Sequence, residues 1–189
     1  MAYWLDLVGS YIIGAMVMAL VAMLNVFIGT SSNRVTFSNI EQGNLSATTD
    51  VINYDFYKIG YRVSGDAIVQ ADSNNIKFCS DLNNTGTVDT INYYTGDASQ
   101  LASTKNPNDR LFYRVLNNET PLPSTKVTNF KLTYFDSIGT KIPYTDLSTQ
   151  LNRNRIKCIE VYLKVESQED VEGVYQGTEW QKKITPKNL

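Results

Sequence analysis

Residues 7–28 read LVGSYIIGAMVMALVAMLNVFI, a run of 22 broken only by Gly9, Ser10, Gly14 and Asn25, with no charge between Asp6 and Arg34. At a helical rise of ~1.5 Å per residue this run reaches about 33 Å, which matches a bilayer hydrocarbon core of about 30 Å. A cleaved secretory signal starts with basic residues and has a shorter apolar stretch. Here positions 1–6 carry neither Lys nor Arg, so a retained anchor is expected. A buried helix of a soluble protein fits less well, because a long run without a polar face is hard to cover in a small protein. Ser10 with Gly14, and Ala15 with Ala19, are each spaced four apart and give small patches where helices approach closely in lipid. Small residues are also simply common in membrane helices. Charge does not orient the span, since Arg34 stands nearly alone beyond it.

Reading outward from the span, Phe37, Ile40, Ala47, Val51 and Tyr54 fall near one helical stripe, and Leu45, Ile52, Phe56 and Ile59 continue an adjacent one. The helix is therefore expected to leave the bilayer and continue to about Ile59. Ser31, Ser32, Asn33, Gly43 and Asn44 are weak helix formers, and Gly60 is the best-placed terminator. The chain divides into a transmembrane helix at 1–33, an amphipathic continuation at 34–60, and a β-sheet domain at 61–189. The fold class is α+β: a long N-terminal helix packed against an antiparallel β-sheet.

The expected strands are Ala67–Ala71, Ile76–Leu82, Thr87–Tyr94, Arg110–Leu116, Lys126–Phe135, Ile156–Ser167 and Thr178–Ile184, the first three forming a meander. Ile159, Val161, Leu163 and Val165 share one strand face, while Cys158, Glu160, Tyr162 and Lys164 share the other, so the first face is expected to cover the helix. Phe130, Leu132 and Tyr134 alternate in the same way. Asp136–Gly139 is a turn, and Pro143 opens a short helix near Asp146–Leu151.

Composition narrows the chemistry. Lys plus Arg number 17 against 19 Asp plus Glu, a net charge of −2, so no nucleic-acid partner is expected. Histidine is absent, which removes the commonest general base and every nucleophile arrangement built on a histidine partner. Two cysteines exclude a four-cysteine zinc site. With 18 Asn, 18 Thr and 12 Tyr, the chain suits turn-rich antiparallel strands facing water.

Three stretches carry a resemblance: YDFYKIGYR at 54–62, IKFCSDL at 76–82 and NPNDRLFYR at 106–114, with Phe130–Gly139 before the long strand as a fourth. With the greasy-then-amphipathic helix and the antiparallel sheet, the chain from about Ile52 onward resembles the type IV pilin superfamily, including minor pilins and the pseudopilins of type II secretion. The resemblance implies a membrane-anchored structural subunit, partnered by other pilin-like subunits through the N-terminal helix, with residues after about Arg34 outside the cytoplasm. The family's basic leader, glycine–phenylalanine junction and nearby glutamate find no match, Asp6 being the acid closest in place. An unprocessed, pilin-like subunit is therefore expected.

Several side-chain groups are candidates for chemistry. Asp81, Asn83, Thr85 and Asp89 put oxygens at alternate positions around Gly86, as calcium loops do, although Asn92 stands where such a loop needs glutamate. The turn chemistry of Asn-Asn-Thr-Gly favours a plain hairpin loop over a cation site, whose affinity would be weak with only Asp81 and Asp89 bringing charge. Cys79 and Cys158 lie on the polar phase of their strands, and an extracytoplasmic setting permits one disulfide between them or two separate thiols. Glu41 and Asp55 flank the amphipathic helix and are expected to face solvent or to pair with Lys58 or Arg62. Ser103-Thr104-Lys105 and Ser124-Thr125-Lys126 are expected in loops. Glu166, Glu169, Asp170 and Glu172 form an acidic strand end. No catalytic group is expected. The rival to a structural subunit is a tethered binding module for a glycan or a secreted protein, using Tyr93, Tyr94 and Tyr175 as exposed contacts.

Overall fold

The computed structural model describes residues 2–101 and 104–189. Helix α1 runs unbroken over Ala2–Tyr57. The weak helix formers at 31–33 and 43–44 do not interrupt it, because each costs no more than about 1 kcal/mol. Thr36 and Thr48 donate to the carbonyls of Ser32 and Asn44 at 2.9 and 2.8 Å. The helix tightens at its end, where Lys58 and Ile59 donate to the carbonyls of Asp55 and Phe56. Gly60 then adopts a left-handed φ of 78° and hands its N–H to the Cys79 carbonyl at 2.9 Å.

The strands form two sheets. In the first, β1 (Ile68–Ala71), β2 (Asn75–Ser80), β3 (Asp89–Thr95), β4 (Arg110–Leu116) and β5 (Pro123–Val127) pair in sequence order, all antiparallel. In the second, the order is β7 (Lys141–Ile142), β6 (Asn129–Phe135), β8 (Cys158–Val171), β9 (Val174–Ile184). The stretch 126–135, read from sequence as one strand, breaks at Thr128. Its amide donates to the Lys164 carbonyl at 2.9 Å, and this corner carries the chain from one sheet to the other. Across this corner the buried side chains slip phase by one residue, Val127 and Phe130 standing three apart where one continuous strand would space them by an even number. A 3-10 helix at Asp146–Ser148 and a single α-turn at Gln150–Arg153 occupy the region after Pro143.

Helix α1 lies on β8 and β9 and touches β5. Its buried face is Leu45, Thr49, Ile52 and Phe56, continued by Ile59 in the turn beyond its end, spaced alternately four and three as a packed helical stripe requires. The parallel stripe foreseen through Ile40, Val51 and Tyr54 stays outside, at 52, 44 and 53 % exposure. Phe56 meets Phe78 and Tyr93 edge-on with centroids 5.6 Å away in each case, Tyr93 meets Phe112 at 5.7 Å, and Phe112 meets Phe130 at 4.9 Å. This chain of rings joins the helix to both sheets. Ile159, Val161, Leu163 and Val165 are buried beneath it, as their alternation predicts.

Candidate functional site

The most distinctive surface is the first half of α1. From Tyr3 to Ile28 its large apolar side chains are all exposed, and none of its most apolar stretch is buried in the protein. The helix is long and apolar enough to cross a membrane. Trp4 and Tyr3 stand at its start, where amphipathic rings favour a lipid–water boundary. The Ser10 hydroxyl donates to the Leu7 carbonyl at 2.8 Å, so it needs no partner from outside the helix. A side chain at Gly14 would meet no atom within 4 Å. At about 100° per residue, the Ser10–Gly14 pair and the Ala15–Ala19 pair open on different flanks of the rod.

The second half of α1 is fixed by a buried charge cluster. Arg114 on β4 donates through Nε to Asp55 Oδ2 at 2.6 Å and through Nη2 to Oδ1 at 3.3 Å. The Tyr93 hydroxyl donates to the same Oδ2 at 2.5 Å. Asp55 and Tyr93 are both fully buried. The Asp55 hydrogen bond raises the Arg114 pKa above its ordinary value against the opposing effect of burial. Burial first, and the Asp55 charge second, push the Tyr93 hydroxyl well up. Two sequence expectations are corrected here. Asp55 neither faces solvent nor pairs with Lys58 or Arg62, and Tyr93 is not an exposed contact. The signals were Asp55 lying in phase between Ile52 and Phe56, and Tyr93 lying in phase with Ile91. Arg114, which sits directly across from Tyr93 in the β3–β4 register, gave no local signal.

The other tyrosines named for binding are also engaged. Tyr94 stacks on Tyr113 at 4.9 Å between centroids, and the Tyr175 hydroxyl donates to the Lys105 carbonyl at 2.8 Å.

In the loop at 81–89, the candidate oxygens turn to separate partners. Asp81 is fully buried and accepts from the Thr85 and Gly86 amides and from Arg62, each at 3.0 Å. Burial pushes its carboxyl up, but the Gly86 amide, Arg62 and the Thr85 amide outweigh it and hold the group below the ordinary carboxylate range. Asn83 Oδ1 accepts from the Thr85 hydroxyl at 2.8 Å, and Asp89 Oδ1 accepts from Asn117 at 2.7 Å. This is the geometry of a self-bonded turn. Among the described residues, no three His, Cys, Asp or Glu side chains gather as metal ligands.

Cys79 and Cys158 are free thiols on different sheets, Cys79 on β2 and Cys158 on β8. The acidic strand end serves several partners. Glu166 pairs with Lys164 at 2.7 Å and accepts from Asn106 at 3.1 Å, and Asp170 accepts from the Gly173 amide at 2.8 Å to shape the β8–β9 turn. Glu172 in that turn pairs with Arg34 on α1. Ser103 and the side chain of Glu169 lie outside the described residues. Ser124-Thr125-Lys126 lies on β5 rather than in a loop. Lys126 there faces Glu41 and Asp109, whose carboxyls burial raises above their ordinary range while Lys126 pulls them back.

A groove of about 350 Å³ runs between α1 and the first sheet, lined by Ala47, Val51, Phe112, Arg114 and Ser124 among others. Comparison with family models, with curated proteins and with solved structures finds no match for this chain.

Proposed function

We propose that the protein is a single-pass membrane subunit of a pilin-like assembly, a minor pilin or pseudopilin, whose sheet domain stands outside the cytoplasm. The observation that carries this reading is the continuity of α1: one helix is bare and apolar over its first half and seated on two sheets over its second. Bare apolar surface of this extent needs lipid or other helices around it. Within lipid, helix association is driven by close packing at small residues rather than by water exclusion. Ser10 with Gly14 and Ala15 with Ala19 provide two such patches on separate flanks, which suits a rod with more than one neighbour. The sheet domain, clamped to the helix by Arg114 and the ring chain, would move with the rod as a unit when lipid contacts are exchanged for helix contacts.

The test is disulfide cross-linking in membranes. In a background with Cys79 and Cys158 replaced by serine, cysteines placed singly at Gly14 and at Ala19 should trap covalent dimers on mild oxidation. A cysteine at Leu20, which at about 100° per residue points away from both patches, serves as the comparison. Equal dimer yield from all positions, or none from any, contradicts specific packing at the small-residue patches.

A further inference from the structure

The end of α1 remote from the apolar half carries a different surface. Tyr57 lies roughly 44 Å along the helix from Ile28, taking ~1.5 Å per residue. There, Tyr57, Lys58, Tyr61, Lys187 and Asn188 line a groove of about 550 Å³. The chain crosses itself to build it. A Cβ at Gly60 would stand 2.8 Å from the Asn188 carbonyl, so the segment carrying Lys187 closes over the helix end only because position 60 has no side chain.

Three of the cations around the groove make contacts that position them. Lys58 Nζ donates to the Leu82 carbonyl at 2.7 Å and stands 4.9 and 5.4 Å from the ring centroids of Tyr54 and Tyr61. Arg62 lies 5.2 Å from the Tyr61 ring while pairing with Asp81 at 3.0 Å. Lys182 lies 5.5 Å from the Tyr57 ring, and Lys187 is exposed. Asp81 is buried and already engaged by Arg62 and two amides. Asp66, also near the helix end in sequence, accepts from Asn154 at 3.2 Å. The cations at the groove therefore outnumber the acids, and Lys58, Arg62 and Lys182 are positioned before any ligand arrives, which lowers the entropy cost of binding.

Tyrosine rings beside fixed ammonium groups suit a ligand that alternates flat apolar faces with negative charge. A pyranose ring offers its C–H face to a tyrosine, and a uronic acid adds a carboxylate at the ring edge. Single-stranded nucleic acid shares part of this chemistry through base stacking. It draws its affinity from several phosphate contacts along a basic track, whereas this chain is net −2 and its cations here are confined to one groove. We propose that this groove binds an acidic polysaccharide of the uronic-acid type. The site belongs to the sheet-bearing half of the molecule and is independent of how the apolar rods associate.

Calorimetric titration of the full-length protein in detergent tests the assignment, with three probes: a galacturonic acid trimer, its methyl ester and a thymidine oligonucleotide. The trimer should bind saturably and more weakly at high salt, and the ester, which keeps the rings but loses the charge, should show no saturable heat. Lys187→Gln, at an exposed position that leaves the fold intact, should weaken trimer binding by about tenfold, the loss of one charge-assisted contact. Lys141→Gln on β7 should leave it unchanged. Absence of saturable trimer binding, trimer binding unmoved by Lys187→Gln, or tighter binding of the oligonucleotide than of the trimer each overturns the proposal.

Discussion

Asp55 shows how much a single buried carboxylate can decide. Its two oxygens accept from Arg114 and Tyr93, so three side chains from α1, β3 and β4 share one polar knot beside the ring chain. Arg114→Ala leaves Asp55 buried without its counter-ion and should cost about 3–5 kcal/mol, measured by urea unfolding in detergent. The double change Asp55→Leu with Arg114→Met should cost much less than the sum of the single changes, because no charge is then stranded. Gly60→Ala should cost at least about 1–2 kcal/mol from the left-handed conformation alone, with further loss from the contact at the Asn188 carbonyl. Acid titration separates two kinds of carboxyl. Asp81 is held below its ordinary value when folded, so its stabilisation is present above about pH 4 and is lost as pH falls through its folded value. Asp109 is held above its ordinary value, chiefly by burial, so its ionisation opposes folding as pH rises through its folded value. Unfolding curves should show the stability gap between wild type and Asp81→Asn closing towards low pH. Asp109→Asn should gain on wild type between pH 4 and pH 7; the opposite trends would contradict these environments. The partners of Asp55 were not legible from sequence, because they depend on strand register and on a crossing between distant segments, whereas the Asp81 turn, closed by the Thr85 and Gly86 amides, was readable as Asn-Asn-Thr-Gly loop chemistry.

At the scale of elements, α1 was the most legible part of the fold. Its apolar half is too long to be anything but a helix, and Gly60 marked the end to within a few residues. The sequence showed two apolar stripes on the second half but not which one meets the sheets. Leu45, Ile52 and Phe56 do, while Val51 and Tyr54 flank the grooves. Phe56→Ala should therefore cost about 3–5 kcal/mol and Val51→Ala only about 0.5 kcal/mol, read by the same unfolding experiment. The strand faces of β6 and β8 followed directly from period-two alternation. The break at Thr128 shows in the sequence only as a one-residue slip of phase between Val127 and Phe130. The β8–β9 hairpin extends well past the stretch expected from sequence, and its turn reaches Arg34 through Glu172. That exposed pair should contribute no more than about 1 kcal/mol, so Arg34→Ala should leave the unfolding midpoint nearly unmoved.

At the scale of the molecule, one helix divides two environments. Beyond about Arg34 its side chains find partners in two antiparallel sheets; before it, the large apolar side chains stand exposed among the described residues. The α+β class and the long helix were readable because hydrophobic length and periodicity are local properties. The division into two sheets was not readable, because strand adjacency in the second sheet skips sequence order. The central claim is that the bare half of α1 is solvated by lipid. Flotation of full-length protein reconstituted with liposomes, after an alkaline carbonate wash, tests it most directly. The account predicts that the protein rises with the lipid and resists the wash; recovery of folded protein in the lipid-free fraction at the bottom of the gradient would contradict it.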